Sequence, residues 1–124
     1  MNFLVDTHAL IWTIEGSSRI SRAARETMEN GDNDLFVSAV TAWEFADLRG
    51  RGRLPGAATF ELVVDLLSPT ILDVPADLWR QAERLPNIHG DPSDRILVAH
   101  ALALGMTLIT ADANIRRYPI PTLW

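Results

Sequence analysis

The sequence predicts an α/β fold on a central, mostly parallel sheet of four to five strands. Three observations carry that expectation. Short apolar runs alternate with longer segments of helical periodicity, the order that builds βαβ units. The short runs are almost uniformly apolar, as strands are when helices cover both faces of a sheet. Glycines, prolines and capping residues fall where each helix should start or stop.

Phe3-Leu4-Val5 is a buried strand closed by Asp6, and a helix follows from Thr7 to Glu15 with Gly16 as its stop. Ser21 caps a second helix running to Met28, ended by Asn30-Gly31. Leu35 to Ala39 forms the second strand, and Thr41 opens a helix through Leu48. Arg49-Gly50-Arg51-Gly52-Arg53 is a basic loop that Pro55-Gly56 punctuates. The stripe Phe60, Val63, Val64 and Leu67 marks a helix from about Ala58 to Leu67. Thr70 to Val74 is the third strand, and Pro75 and Asp77 start a helix ending at Leu85. After a loop from Pro86 to Gly90, Asp91-Pro92 opens a helix through Leu104, since proline fits the first helical position. Gly105 stops it, Thr107 to Thr110 is the fourth strand, a helical turn spans Ala113 to Arg117, and Pro121 to Trp124 is a last extended piece.

Composition removes several classes of function. The 124 residues read as one domain, 1–124, with a folded surface of ~6,600 Å² expected from its mass. There is no cysteine, hence no disulfide, thiolate metal site or cysteine nucleophile. All 11 basic residues are arginine, which excludes Walker-A phosphate binding and lysine Schiff bases. A net charge of −5 argues against coating nucleic acid by bulk positive charge. No run is long enough for a membrane span, and the N-terminus lacks the basic start of a signal peptide. A cytoplasmic protein without membrane partners is the expectation.

Acids gather where such a sheet binds ligands, beyond the carboxyl ends of its strands. Asp6 terminates the first strand, Glu44 follows the second, and Asp112 follows the fourth; Asp91 and Asp94 start the helix leading into the fourth. Each acid also has a local explanation. Asp6 and Asp91 are natural N-caps, Thr41-Ala42-Trp43-Glu44 matches a capping box, and Asp112 suits a turn. Jointly they are harder to explain, because two unit charges at 4 Å cost ~4 kcal/mol at an effective dielectric near 20. Divalent cations with hard oxygen preference, Mg²⁺ or Mn²⁺, would make the gathering tolerable. Such cations also polarise phosphodiesters. Ser38 and Thr110, at strand ends, are candidate partners of a ligand. His8, His89 and His100 lack metalloprotease spacing and none is expected as a general base; His8 adjoins Asp6, and His100 is expected to pack. The four tryptophans are expected in the core or an interface. Phosphoryl-accepting signalling domains and inert binding modules also carry acids at strand ends, although the first would need a lysine.

Four stretches carry a resemblance. They are Phe3 to Leu10 (FLVDTHAL), Val37 to Glu44 (VSAVTAWE), Asp91 to Ala101 (DPSDRILVAHA) and Leu108 to Asp112 (LITAD). In this order and spacing the chain resembles the PIN-domain family, specifically VapC-type toxins of type II toxin–antitoxin systems. The resemblance implies a PIN-like α/β/α three-layer fold and a Mg²⁺-dependent endoribonuclease, with Mn²⁺ able to substitute. It implies that Asp6, Glu44, Asp94 and Asp112 are the site acids, with Asp91, Ser38 and Thr110 beside them. It further implies a homodimer, an RNA substrate and a cognate antitoxin. Relatives often carry a basic residue shortly after the Glu44 position; here Asp47 and Leu48 stand there, and Arg49 comes next as the candidate substrate contact.

Overall fold

The computed structural model describes residues 1–124, and its strands form one parallel sheet. The elements are β1 (Asn2–Val5), α1 (Thr7–Glu15), α2 (Arg22–Glu29), β2 (Asp34–Ser38), α3 (Ala39–Gly50), α4 (Phe60–Leu67), β3 (Thr70–Leu72), α5 (Trp79–Arg84), α6 (Pro92–Leu104), β4 (Thr107–Ile109) and β5 (Thr122–Leu123), with a 3₁₀ turn at Ile115–Arg117. The five strands lie in the order β3-β2-β1-β4-β5. The chain therefore leaves β1 toward one edge and later returns to β1's other side. The end of β1 is the switch point, where an open α/β sheet leaves a crevice.

The period of two along each strand splits the interior into two cores. Phe3, Val5, Leu35, Val37 and Ile109 face a core completed by α1, α2, Phe45 of α3 and Val63 of α4. Leu4 and Leu108 point the other way, into a core with Leu97, Val98 and Ala101 of α6, Leu78, Ile115 and Tyr118. The uniformly apolar strands are thus explained by helices on both faces. Each fully buried aliphatic side chain contributes about 1.5–3 kcal/mol before entropy. The exposed surface of 6860 Å² matches the value expected from mass. No helix is long and apolar enough to cross a membrane.

Caps set the helix starts, and here the structure departs from expectation. Asp6 caps α1, Ser21 caps α2 and Asp91 caps α6, as read from sequence. Thr41 does not open α3. β2 ends at Ser38, whose hydroxyl accepts from the Val40 N–H, so α3 starts three residues earlier than its cap-like Thr41 suggested. Glu44 is consequently in the second turn and not in a capping box. α3 also runs on through Arg49 and Gly50, so the expected basic loop is partly helix. α4 starts at Phe60 behind the Thr59 cap. β3 stops at Leu72 because only three of its residues pair with β2, and it has no neighbour on its outer edge. α5 spans only Trp79–Arg84, since the preceding Leu78 offers no side-chain cap.

Candidate active site

Asp6 occupies the switch point. Its backbone N–H donates to Ile109 O at 3.0 Å, which holds it between β1 and β4. Its side chain is buried, with Oδ1 accepting from the Thr7 N–H at 2.7 Å and Oδ2 accepting from the Thr110 hydroxyl at 2.7 Å. That hydroxyl in turn accepts from the Asp112 N–H at 3.1 Å, which directs its proton toward Asp6. Thr110 thus bonds the first acid directly. Burial pushes the Asp6 carboxyl up from its usual range; the Thr110 and Thr7 bonds oppose this, and the nearby Glu44 adds to it.

Asp94 lies in the first turn of α6. Its carboxyl is pushed up to about 6 by burial first, then by the charges of Asp91, Asp6 and Asp112, against the lowering effect of His89. Asp6 feels the charge of Glu44, Asp94 feels those of Asp6, Asp91 and Asp112, and Asp6 and Asp112 line one hollow, although Asp6 and Asp112 are 106 residues apart in sequence. Glu44 is half-buried and accepts no hydrogen bond from the chain. Asp112 spends Oδ1 on the N–H groups of Asn114 and Ile115, at 2.8 and 3.0 Å, the turn role its sequence suggested. It also lines a hollow of about 210 Å³ with Asp6, His8 and Trp12. Asp91 is the cap of α6, its Oδ1 accepting from the Asp94 N–H at 3.1 Å.

His89 belongs with this group and was not anticipated. Its Nε2 lies 2.9 Å from Asp94 Oδ2, and ligand atoms of His89, Asp91 and Asp94 lie within 4.8 Å of one another. Its loop is pinned from a distance: the His89 N–H donates to the Tyr118 hydroxyl at 3.1 Å, and that hydroxyl donates to His89 O at 3.3 Å. No sequence spacing links His89 to Tyr118; only the proximity of His89 to Asp91-Pro92 offered a hint.

Three other candidates resolve differently. The Ser38 hydroxyl meets His100 Nδ1 at 2.9 Å and bonds none of the acids, so it ties α3 to α6 inside the protein. His100 is buried, and burial lowers its pKa, which favours neutral imidazole. Arg49, an exposed residue, donates from Nη1 to the carbonyls of Gly56 and Ala58 at 3.1 and 3.0 Å, closing the loop after α3, while its Nε and Nη2 bond nothing in the chain. Trp12 packs edge-on against Trp124 with ring centres 5.6 Å apart, whereas Trp43 and Trp79 are more than half exposed and belong to no core.

A family comparison now bears on the arrangement. The PIN domain model matches residues 3–121. The chain belongs to the PIN domain family. It is 31% identical to Ribonuclease VapC22 of Mycobacterium tuberculosis over 98% of this chain and 97% of that one. Its fold matches VapBC2 of Rickettsia felis bound to a fragment of promoter DNA, with a TM-score of 0.74, 17% identity and coverage of 99% and 98% of the two chains. It also matches DNA-bound VapBC of Salmonella typhimurium, with a TM-score of 0.70, 20% identity and coverage of 99% and 97%.

The donors of this PIN domain fit a hard divalent cation. They are carboxylate oxygens with one imidazole, and no arginine side-chain nitrogen lies within 4.0 Å of the carboxylate of Asp6, Glu44, Asp91, Asp94 or Asp112. Asp6, buried and hydrogen-bonded beside further acids with no arginine paired to its carboxylate, belongs to a donor set that could hold such a cation.

Proposed function

We propose that this PIN domain is a Mg²⁺-dependent endoribonuclease, the toxin of a type II toxin–antitoxin pair, hydrolysing RNA phosphodiester bonds at the carboxyl edge of its sheet. The observation that carries the reading is Asp6, buried at the switch point, oriented by two donors and faced by other acids without an arginine. The kinship to Ribonuclease VapC22 and the VapBC likeness of the fold support it.

Asp6 and Asp94 would hold the more tightly bound cation, and Glu44 and Asp112 would complete a second, weaker position. When bound, Mg²⁺ supplies Lewis-acid stabilisation of the charge that builds on the oxygens at phosphorus during in-line displacement. The chain supplies position. Thr110 and the Thr7 N–H fix the Asp6 rotamer, and the bond from His89 fixes Asp94. Asp91 shapes the start of α6 and adds negative charge beside Asp94. Pre-organisation of this kind removes the reorganisation cost that water would impose.

A cleavage-site map on total RNA tests the reading, with wild type, Asp6→Asn and Asp94→Asn, in Mg²⁺ and in chelator. Discrete cuts by wild type in Mg²⁺ or Mn²⁺, absent with either variant or chelator, are expected. Wild-type cutting by a folded Asp6→Asn or Asp94→Asn protein would remove that residue from its role. The toxin reading extends to a homodimer and to a neighbour-encoded antitoxin that co-purifies with the chain; repeated recovery of uncomplexed, non-toxic protein from its host would contradict it.

A further inference from the structure

We propose that a groove next to the acid hollow, bounded by His8, Trp12, Arg19 and Arg53, is where the RNA strand is gripped before cleavage. This rests on the nuclease reading above and names the part of that site that meets the substrate away from the cut.

The groove and the hollow are neighbours that share two side chains. A space of about 320 Å³ is lined by His8, Trp12, Glu15, Arg19 and Arg53, among others. The hollow that contains Asp6 and Asp112 is also lined by His8 and Trp12, so the same two rings wall both spaces. The His8 and Trp12 ring centres are 5.9 Å apart, and His8 is exposed. A nucleotide chain leaving the acid hollow on this side meets an aromatic wall and then two guanidinium groups.

Charge explains why these arginines are the ones that matter. A polyanion approaching five carboxylates needs cations within a Debye length, about 8–10 Å at ordinary salt. The basic cluster that follows Glu44 in sequence is divided by the fold. Arg49 Nη1 is tied to the carbonyls of Gly56 and Ala58, and Arg51 is paired with Asp47 at 3.0 Å. Arg53 makes no side-chain bond within the chain and lines the groove. Arg19, from the turn between α1 and α2, likewise has no ion pair; its guanidinium stands 5.9 Å from the Trp12 ring. Glu15 on the same rim contributes one negative charge, leaving the groove net positive in a chain of net −5. Arginine suits phosphate through its planar fork of donors, and ring faces accept bases of any identity. Single-stranded RNA is the occupant this combination favours, over an acidic stretch of a protein partner, because such a stretch would use the two arginines but leave the His8 and Trp12 rings without bases to stack on them.

The test is an Arg19→Ala/Arg53→Ala double variant of the full chain. Binding of a labelled single-stranded RNA is followed by fluorescence anisotropy in Mg²⁺, both proteins carrying Asp6→Asn to stop cutting. Two lost phosphate contacts should weaken binding about tenfold or more at low salt. They should also flatten the log–log salt dependence by about 0.7 for each arginine. With Asp6 restored, the loss should fall on KM. An Arg19→Lys/Arg53→Lys pair should recover most of the affinity, because it restores the charge. Arg22→Ala, whose partner is Glu26 on the exposed side of α2, should bind as wild type. Wild-type affinity and salt slope in the folded double variant would overturn the groove while leaving the nuclease reading intact, provided the parent chain cuts RNA. Unchanged RNA binding with loss of a co-purifying partner would assign the groove to that partner and overturn the proposal. A parent chain that neither binds nor cuts RNA would take down both readings.

Discussion

Asp94→Asn should make the metal-free protein more stable while destroying its activity. The carboxyl is pushed up to about 6 from an ordinary 3.8 by burial and by the charges of Asp91, Asp6 and Asp112. At about 1.4 kcal/mol per unit, ionising it in the folded state costs ~3 kcal/mol. Its side chain retains 18% exposure, and screening at a site still reached by water reduces this to about 1–2 kcal/mol. Because the folded-state pKa is raised, the folded protein holds the proton longer than the unfolded chain. The penalty is therefore absent below about pH 3.8, grows between 3.8 and 6, and is complete above 6. Asparagine keeps the shape and can still bond His89, but carries no charge. In chelator at pH 7.5 the variant should melt about 4–8 °C higher than wild type, and at pH 4 the difference should nearly vanish. Mg²⁺ should reverse the order at neutral pH, since wild type gains stability by binding the ion and the variant has lost a ligand. Scanning calorimetry at both pH values, with and without Mg²⁺, checks all three. Equal or lower stability of the variant in chelator at pH 7.5 would refute the reasoning that the acids repel one another.

Thr110→Val keeps the volume but removes the hydroxyl that donates to Asp6; stability should fall by about 1.5–3 kcal/mol in urea titration, and cleavage by about tenfold or more. Ser38→Ala deletes both the α3 cap and the partner of buried His100 Nδ1, and should cost about 2–3 kcal/mol by the same measurement, without altering the metal affinity of the site. Gly105→Ala places a side chain at φ +64°, where nothing crowds the new Cβ, so the loss of about 1 kcal/mol expected in a thermal melt is pure backbone strain.

The layout of the sheet was legible because alternation of apolar runs with helical segments leaves few other architectures, and because Asp6, Ser21 and Asp91 are strong local caps. What was not legible depended on tertiary competition. Thr41-Ala42-Trp43-Glu44 is a good capping box in isolation, but pairing of Ser38 with Leu72 carries β2 to Ser38 and gives that residue the cap first. Arg49 stood where a substrate contact was expected, and its Nη1 also closes onto carbonyls of a loop whose path the sequence leaves open. His89 has no periodic neighbour; Tyr118, 29 positions away, brings it to Asp94. The acids were easier to find, because strand ends are readable and a parallel sheet brings those ends to one edge. Their local roles do not conflict with this: Asp6 and Asp91 are caps and Asp112 holds a turn, while Asp6 and Asp112 still line one hollow.

The convergence of carboxylates on a divalent cation is tested most directly by anomalous diffraction from crystals soaked in Mn²⁺. A manganese peak contacted by both Asp6 and Asp94 is the predicted result. No peak at the end of β1, or a peak held by His89 and Asp91 with Asp6 left out, would contradict it.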